Sequence, residues 1–415
     1  MERINSVEKF RTVINKKTNV IIYGAGAVGT VVIEQILREN PELSFFIAVS
    51  AKDGYPYYYI GGGIKQIFCI EKLSDLAEDS VVIIATLEKA QETMIDKLES
   101  LGFNNIYGMN DKFYKKLKWG NSVFQNEEII YSKRYIAPYI KCLMDIVKDY
   151  QNETVNIKLY IEQALQRLEW ETLNIARLVV VLGNKCSLRC KECNNLIPYF
   201  KPQKELDSNK ILSSLEILSS RAETILKCEL IGGEPFLSNN LNKVLKFLIE
   251  RENIYRIEIT TNGTILPKQE QIPLLQNRKV VVRVSDYGIL VNKDKIIYFL
   301  KQNGISYKVL EGGKWVENDL MDSGMGINEL KKVYNNCEAG YLCKTLYEDK
   351  IFACPRASSL YVLGYMQEQE YVRISEEISA EDLKDFLLRP YSVACNLCRG
   401  SGEPVFVEPA VQFED

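Results

Sequence analysis

The chain contains no histidine at all, and no other absence excludes as much chemistry. Imidazole triads, histidine general acids and bases, and histidine-held zinc or iron are all ruled out. Any metal must be bound by thiolates or carboxylates, and any proton acceptor must be Asp, Glu, Lys, Tyr or Arg. Long apolar runs are missing too. No stretch approaches the roughly 18 to 20 apolar residues of a membrane span, and MERINSVEKF carries no signal-peptide core. A cytoplasmic protein without a membrane partner is the expectation. Excess charge of one sign is also lacking: 52 Lys and Arg against 55 Asp and Glu leave a net charge of −3. That gives no electrostatic reason to expect a nucleic-acid partner.

What the 415-residue chain has in plenty is cysteine, eleven in all. Eight are grouped, as 186/190/193, 337/343/354 and 395/398. Disulfide frameworks belong to small secreted domains. In a chain long enough for two or three domains, with no signal segment, clustered cysteines point to metal ligation.

Hydrophobic periodicity divides the chain. NVIIYGAGAVGTVVIEQILREN reads as a strand, a glycine turn and a helix with Val28, Val31, Val32, Ile36 and Leu37 on one face. Strands at SFFIAVS, SVVIIAT and NNIYGM, with a helix before the last, complete a Rossmann-like, doubly wound α/β domain over 1–110. A helical linker follows over 111–172. From 173 to 330 strands again alternate with helices, one of them N-capped by Asp207, as in a partial (β/α)6 barrel with chemistry at strand C-termini. Residues 331–415 are turn-rich and form a small mixed α+β domain. No low-complexity tract or internal repeat stands out.

NKCSLRCKECNN places Cys186, Cys190 and Cys193 at C-x3-C-x2-C directly after a strand. Zinc and most iron–sulfur clusters want four protein ligands. This loop either borrows a distant cysteine for zinc or leaves one iron of a four-iron cluster open. Two more stretches bear on the choice. LIGGEPFL puts Gly232, Gly233, Glu234 and Pro235 at the end of the next strand, where paired glycines let a ligand approach bare backbone. ITTNG, with Thr260, Thr261 and Asn262, and RVSDYG, with Ser285 and Asp286, end the third and fourth strands. An Asn-Gly turn is the plain alternative for Thr261 and Asn262.

Taken together, C-x3-C-x2-C and GGEP resemble the radical S-adenosylmethionine (SAM) superfamily. The resemblance implies a [4Fe–4S] cluster whose open iron takes SAM. It also implies reductive cleavage of SAM to a 5′-deoxyadenosyl radical, driven by an external reductant such as flavodoxin or ferredoxin. Glu234 would meet the SAM ammonium, and Thr261, Asn262 and Ser285 its ribose and carboxylate. Where the family has an aromatic residue before the third cysteine, this chain has Glu192; Tyr199 or Phe200 would then hold the adenine.

CKTLYEDKIFACP reads as a hairpin about Glu348-Asp349 that sets Cys343 opposite Cys354. With Cys395 and Cys398 these make four ligands, resembling the twitch or SPASM extensions that carry an auxiliary [4Fe–4S] cluster. A four-thiolate zinc knuckle is the alternative. Cys337 is left over, either as a hydrogen-atom donor near a radical site, as an alternative ligand or as a buried small side chain. The lone Cys69, Cys142 and Cys228 are expected in the core.

Gly24, Gly26 and Gly29 form G-x-G-x-x-G between a strand and a helix, the context for a pyrophosphate. The acidic residue that would hold a ribose is absent, with Ser50 in its place and Asp53 beyond. NAD, a sugar nucleotide or other nucleotide, and docking without a ligand all stay open. The expectation is an oxidoreductase or epimerase acting on a small molecule, such as a carbohydrate, polyol or sugar nucleotide. A radical SAM peptide maturase is the first alternative, and a non-catalytic zinc-and-nucleotide scaffold the second.

Overall fold

The computed structural model describes residues 2–16, 19–25, 27–40, 42–50, 57–60, 63–119, 138–139, 142–143, 145–146, 172–288, 293–310, 313–317, 320, 322–366, 370–398 and 405–413. It forms two compact units, 1–137 and 138–415. Most of the linker expected over 111–172 lies outside the described residues. Among the described residues no helix is long and apolar enough to cross a membrane.

The first unit holds β1 (Glu2–Ile4), β2 (Asn19–Tyr23), β3 (Phe45–Val49), β4 (Tyr57–Ile60), β5 (Gly63–Cys69), β6 (Ser80–Ile84) and β7 (Ile106–Met109), in the order β1-β7-β6-β2-β3-β5-β4. All neighbours are parallel except β4 and β5. Alternate residues of the apolar strands enter two cores, Val20 and Ile22 on one face, Ile21 and Tyr23 on the other. Helices Val7–Ile14, Ala27–Glu39 and Asp111–Trp119 cover the first face, and Gln91–Ser100 the second. The helix Asp111–Trp119 buries Phe113, Tyr114 and Leu117 in the first core, so this unit runs past the expected end at 110.

The chain leaves β2 towards β3 on one side and returns to β6 on the other. The switch point of the sheet therefore lies between β2 and β6, where Gly24 sits. Its φ is +127°, and an added Cβ would stand 2.7 Å from Ala85 O; at Gly29 it would stand 2.1 Å from Gly24 O. These two glycines answer to the packing of the loop itself. Gly26 lies outside the described residues.

The second unit carries β8 (Asn174–Val181), β9 (Thr224–Ile231), β10 (Ile254–Thr261), β11 (Val280–Ser285) and β12 (Tyr307–Leu310), parallel and in sequence order. Helices Ser208–Arg221, Leu241–Glu250, Ile272–Leu275 and Lys293–Gln302 occupy the connections. Asp207 caps the first by accepting from Asn209 N at 2.9 Å. β13 (Trp315–Val316) lies apart, paired with β17 (Phe406–Val407). β14 (Lys344–Tyr347) joins β8 in parallel, and β15 (Lys350–Phe352) and β16 (Tyr371–Arg373) follow antiparallel. Five parallel strands thus come from 174–310. The sixth is β14, from the segment after 330, and it shares one eight-stranded sheet with them.

One face of these strands carries a layer of charge. Buried Glu229 accepts from Thr260 Oγ1 (2.6 Å) and from Arg283 (3.0 Å), and pairs with Arg177. Arg283 also meets Glu258 (3.0 Å), which Lys227 approaches at 3.0 Å. Burial alone would raise the Glu229 carboxyl, but the guanidinium of Arg177, then Arg283, holds it below the usual range. Such a layer adds little net stability, yet losing one partner strands the others. Glu229→Gln is therefore expected to destabilise the second unit by about 3 kcal/mol at neutral pH, read from urea unfolding. The wild-type advantage should begin to fade as pH falls below the ordinary carboxyl value of 4.5 and be lost only as pH passes through the depressed native one, because the ionised form carries it.

Candidate active site

After β8 the chain runs through Gly183 and Lys185 into the first cysteine. This loop lies directly on the end of β9. Gly233 N donates to Gly183 O (3.1 Å) and Glu234 N to Lys185 O (2.8 Å). A Cβ on Gly233 would stand 2.1 Å from Lys185 O, and one on Gly232 2.6 Å from Gly183 O. Only glycine permits this contact. The paired glycines thus serve the cysteine loop first, while both still line the cavity beside it.

That cavity has a volume of about 110 Å³. Cys186, Cys190 and Cys193 line it, facing Gly232, Gly233, Thr260 and Ser285 at the strand ends. No fourth cysteine does. Among the described residues no three Cys, Asp or Glu side chains already stand in ligand geometry around one point; the fit rests on the shared cavity and the donor chemistry. Burial pushes the Cys186 thiol up to about 12 and also raises Cys190 and Cys193, so the metal-free thiols are protonated. N–H groups already aim at the sulfurs: Leu188 N lies 3.4 Å from Cys186 Sγ, and backbone donors at 195–197 act on Cys193. Three thiols, N–H donors and bare backbone opposite fit a thiolate-held iron–sulfur cluster with one iron left over.

Glu234 is 1% exposed, turned away from the cavity. It accepts from Thr261 Oγ1 (2.8 Å), Asn262 N (2.8 Å) and Phe236 N (3.2 Å), bracing β9 to β10. Burial lifts its pKa to about 7 against those three donors. Asn262 passes the brace on, donating to Ser187 Oγ (3.1 Å) and lying 3.7 Å from Cys186 Sγ. Asp286 is occupied by Lys293 and by Gly288 N (3.0 Å). Pro235 is buried beneath the site.

The aromatic residues in the cavity are not those expected. Phe200 is buried and does not line it, and Tyr199 packs edge-on against Phe413 at 6.1 Å. Tyr287 and Trp315 line it instead, T-shaped at 5.4 Å. Tyr287 follows RVSD directly, and its place was the available signal. Trp315 had none.

In the second cysteine group the hairpin pairs Thr345 with Phe352 and Tyr347 with Lys350, the register expected from the spacing. Cys343 and Cys354 lie beyond its end. Cys354 Sγ caps the helix Pro355–Val362, accepting from Ala357 N at 3.4 Å. Burial raises Cys395, and next in strength come Cys354, Cys337 and Cys398. Burial takes Cys354 to about 12, followed by Cys337, Cys398 and, last, Cys343. Cys337, left over in the sequence reading, therefore stands within this group. Cys343 also acts on Cys142 and Arg177. Cys142 and Cys228 are buried, but Cys69 is partly exposed and donates to Glu71 (2.6 Å). In the first unit Ser50 is engaged by Tyr23 OH (2.5 Å), and its carbonyl by Lys97 (3.1 Å). Lys97 also pairs with Glu71, and Asp53 lies outside the described residues.

Residues 180–285 match the sequence model described as the radical SAM superfamily, so the chain carries a radical SAM superfamily domain. GTP 3′,8-cyclase of Campylobacter curvus is 23% identical over 230 residues, 52% of this chain and 63% of that one. Antilisterial bacteriocin subtilosin biosynthesis protein AlbA of Bacillus subtilis is 26% identical over 110 residues, 25% of this chain and 22% of its own. Other GTP 3′,8-cyclases are matched over only 26% to 29% of their length. The chain thus spans less than two thirds of the curated relatives it matches. The solved structure of BtrN in complex with AdoMet and 2-DOIA has TM-score 0.37 and 16% identity, over 58% of this chain and 97% of that one.

If Gly233 is kept bare by the cysteine loop, Gly233→Ala should cost about 2–4 kcal/mol of stability. It should also cost about four irons per chain after anaerobic reconstitution. Gly313→Ala, where an added Cβ meets nothing within 4 Å, should change neither urea midpoint nor iron content.

Proposed function

We propose that this chain is a radical SAM enzyme, and one observation carries the reading: three cysteines, with no fourth, line one cavity against the bare backbone of Gly232 and Gly233. Cys186, Cys190 and Cys193 would hold a [4Fe–4S] cluster, with Thr261, Asn262 and Ser285 around the SAM methionine and ribose. When bound, cluster and SAM supply a 5′-deoxyadenosyl radical that abstracts hydrogen from substrate, an external reductant such as flavodoxin or ferredoxin providing the electron. The protein's own part is to hold the thiolates, brace the strand ends through Glu234, and exclude water with Tyr287 and Trp315.

For the second cysteine group we propose a closed auxiliary [4Fe–4S] cluster of the twitch type on Cys337, Cys354, Cys395 and Cys398. The mutual influence of those four thiols favours Cys337 over Cys343. With Cys337 so engaged, no thiol beyond the first three lines the cavity among the described residues to donate a hydrogen atom for epimerisation. Dehydrogenation of a small molecule is the better reading. A carbohydrate, polyol or sugar nucleotide is proposed on the strength of the first unit, whose glycine loop lies at a sheet switch point. Ser50 in place of a ribose-binding carboxylate argues for a sugar nucleotide over NAD. Peptide maturation is the second reading, favoured by the match to a bacteriocin biosynthesis protein.

The deciding experiment is anaerobic reconstitution followed by iron counting and assay of 5′-deoxyadenosine. Wild type should bind about eight irons, and Cys186→Ala/Cys190→Ala/Cys193→Ala about four, with deoxyadenosine from wild type alone. Zinc in both groups with SAM left intact would leave only a binding scaffold. Cys337→Ser should lose the auxiliary irons while Cys343→Ser keeps them; the reverse result restores Cys343 as the ligand.

A further inference from the structure

The last described residues of the chain lie against the cysteine loop. Gln412 forms an antiparallel bridge with Cys190, 222 residues earlier in sequence. Lys191 N donates to Val411 O (2.8 Å) and Phe413 N to Arg189 O (2.9 Å). The Gln412 side chain turns inward at this bridge. Its Oε1 accepts from Arg189 N (2.6 Å), and its Nε2 donates to Cys190 Sγ (3.2 Å) and to Ala410 O (2.5 Å). Just upstream, before a turn, Phe406–Val407 pairs with Trp315–Val316, so the same segment borders the aromatic wall of the cavity.

On the reading that Cys186, Cys190 and Cys193 hold a cluster, we infer that Gln412 is a positioning residue that raises the cluster's reduction potential through its amide bond to Cys190 Sγ. An added electron makes the cluster sulfurs more negative, and an N–H dipole fixed on one of them stabilises the reduced form. The amide is well placed because Arg189 N and Ala410 O hold both of its ends, so its N–H cannot turn from the sulfur without breaking them. The other donors differ in origin. Leu188 and residues 195–197 belong to the cysteine loop, and Asn262 to the end of β10. Gln412 brings a donor from the far end of the chain.

Wild type, Gln412→Leu and Gln412→Glu would be reconstituted anaerobically and titrated electrochemically. The signal followed is the reduced-cluster electron paramagnetic resonance signal that changes when SAM is added, which separates this cluster from the auxiliary one. Gln412→Leu should lower the potential by about 59 mV, a tenfold shift in the one-electron equilibrium. Gln412→Glu keeps an acceptor for Arg189 N and hence the bridge, but turns a negative oxygen to the sulfur. It should fall at least as far, and it decides the matter alone if the Leu variant loses iron. Potentials matching wild type in a variant that holds its irons would overturn the inference. So would loss of the site's irons from both variants, which would make the residue a clasp and not a tuner. A wild type with no SAM-responsive cluster would instead defeat the functional reading on which this inference rests.

Discussion

The site depends on a backbone contact between the end of β9 and the loop that carries the cysteines. Two backbone hydrogen bonds, Gly233 N to Gly183 O and Glu234 N to Lys185 O, lay one segment on the other. They form only where no Cβ intervenes. Once that contact is made, Glu234 follows its glycines into the interior. Its carboxylate there takes the Thr261 hydroxyl and the Asn262 N–H, fixing the end of β10 to the end of β9. Asn262 then reaches back to Ser187 within the cysteine loop. The circuit closes through three strand ends and one loop. Glu234, Thr261 and Asn262 are buried with their partners, the condition under which a polar network specifies one arrangement, while Ser187 at its outer end is exposed.

Beneath the site the parallel strands hold charge rather than aliphatic packing. Thr260 connects the two layers, since it lines the cavity and its hydroxyl donates to Glu229 below. The salt-bridged layer makes the floor stiff, because Glu229 and Glu258 between them hold Arg177, Arg283 and Lys227. An apolar floor of equal volume would be as stable or more so. What the charged one adds is a fixed field near the thiols and a fixed position for Thr260.

Much of this was legible in the sequence. The central strands and helices of both units followed from periodicity, and the Asp207 cap and the hairpin register from local spacing, because these signals are short in range; β1, β4, β5 and the helix Val7–Ile14 were not marked. C-x3-C-x2-C and GGEP singled out the cysteine loop and the glycines on which it rests. The charged layer was hidden because Arg177, Glu229, Glu258 and Arg283 lie one per strand. In a single strand each looks like a solvent-facing alternation, and only the assembled sheet shows that they meet. The partners of Glu234 on β10 were hidden too, because sequence carries no direction for a side chain. The choice between Cys337 and Cys343 was not legible, because it depends on how the helices before the hairpin place the two thiols and not on the hairpin's own register.

The matched family segment ends at Ser285, and the residues on the far side of the cavity begin after it. Tyr287 is two positions beyond, Trp315 lies on β13, and past the turn that follows β17, the partner of β13, Gln412 bridges to the cysteine loop. The cavity therefore has two walls of different origin. One is built from strand ends and the cysteine loop, and it carries the features shared with the superfamily. The other is built from segments that no short motif marks and that meet only through long-range pairing. Three thiols and the backbone opposite them take up the first wall, so what distinguishes this chain from relatives as different as a GTP cyclase and a bacteriocin biosynthesis protein lies outside the shared motifs.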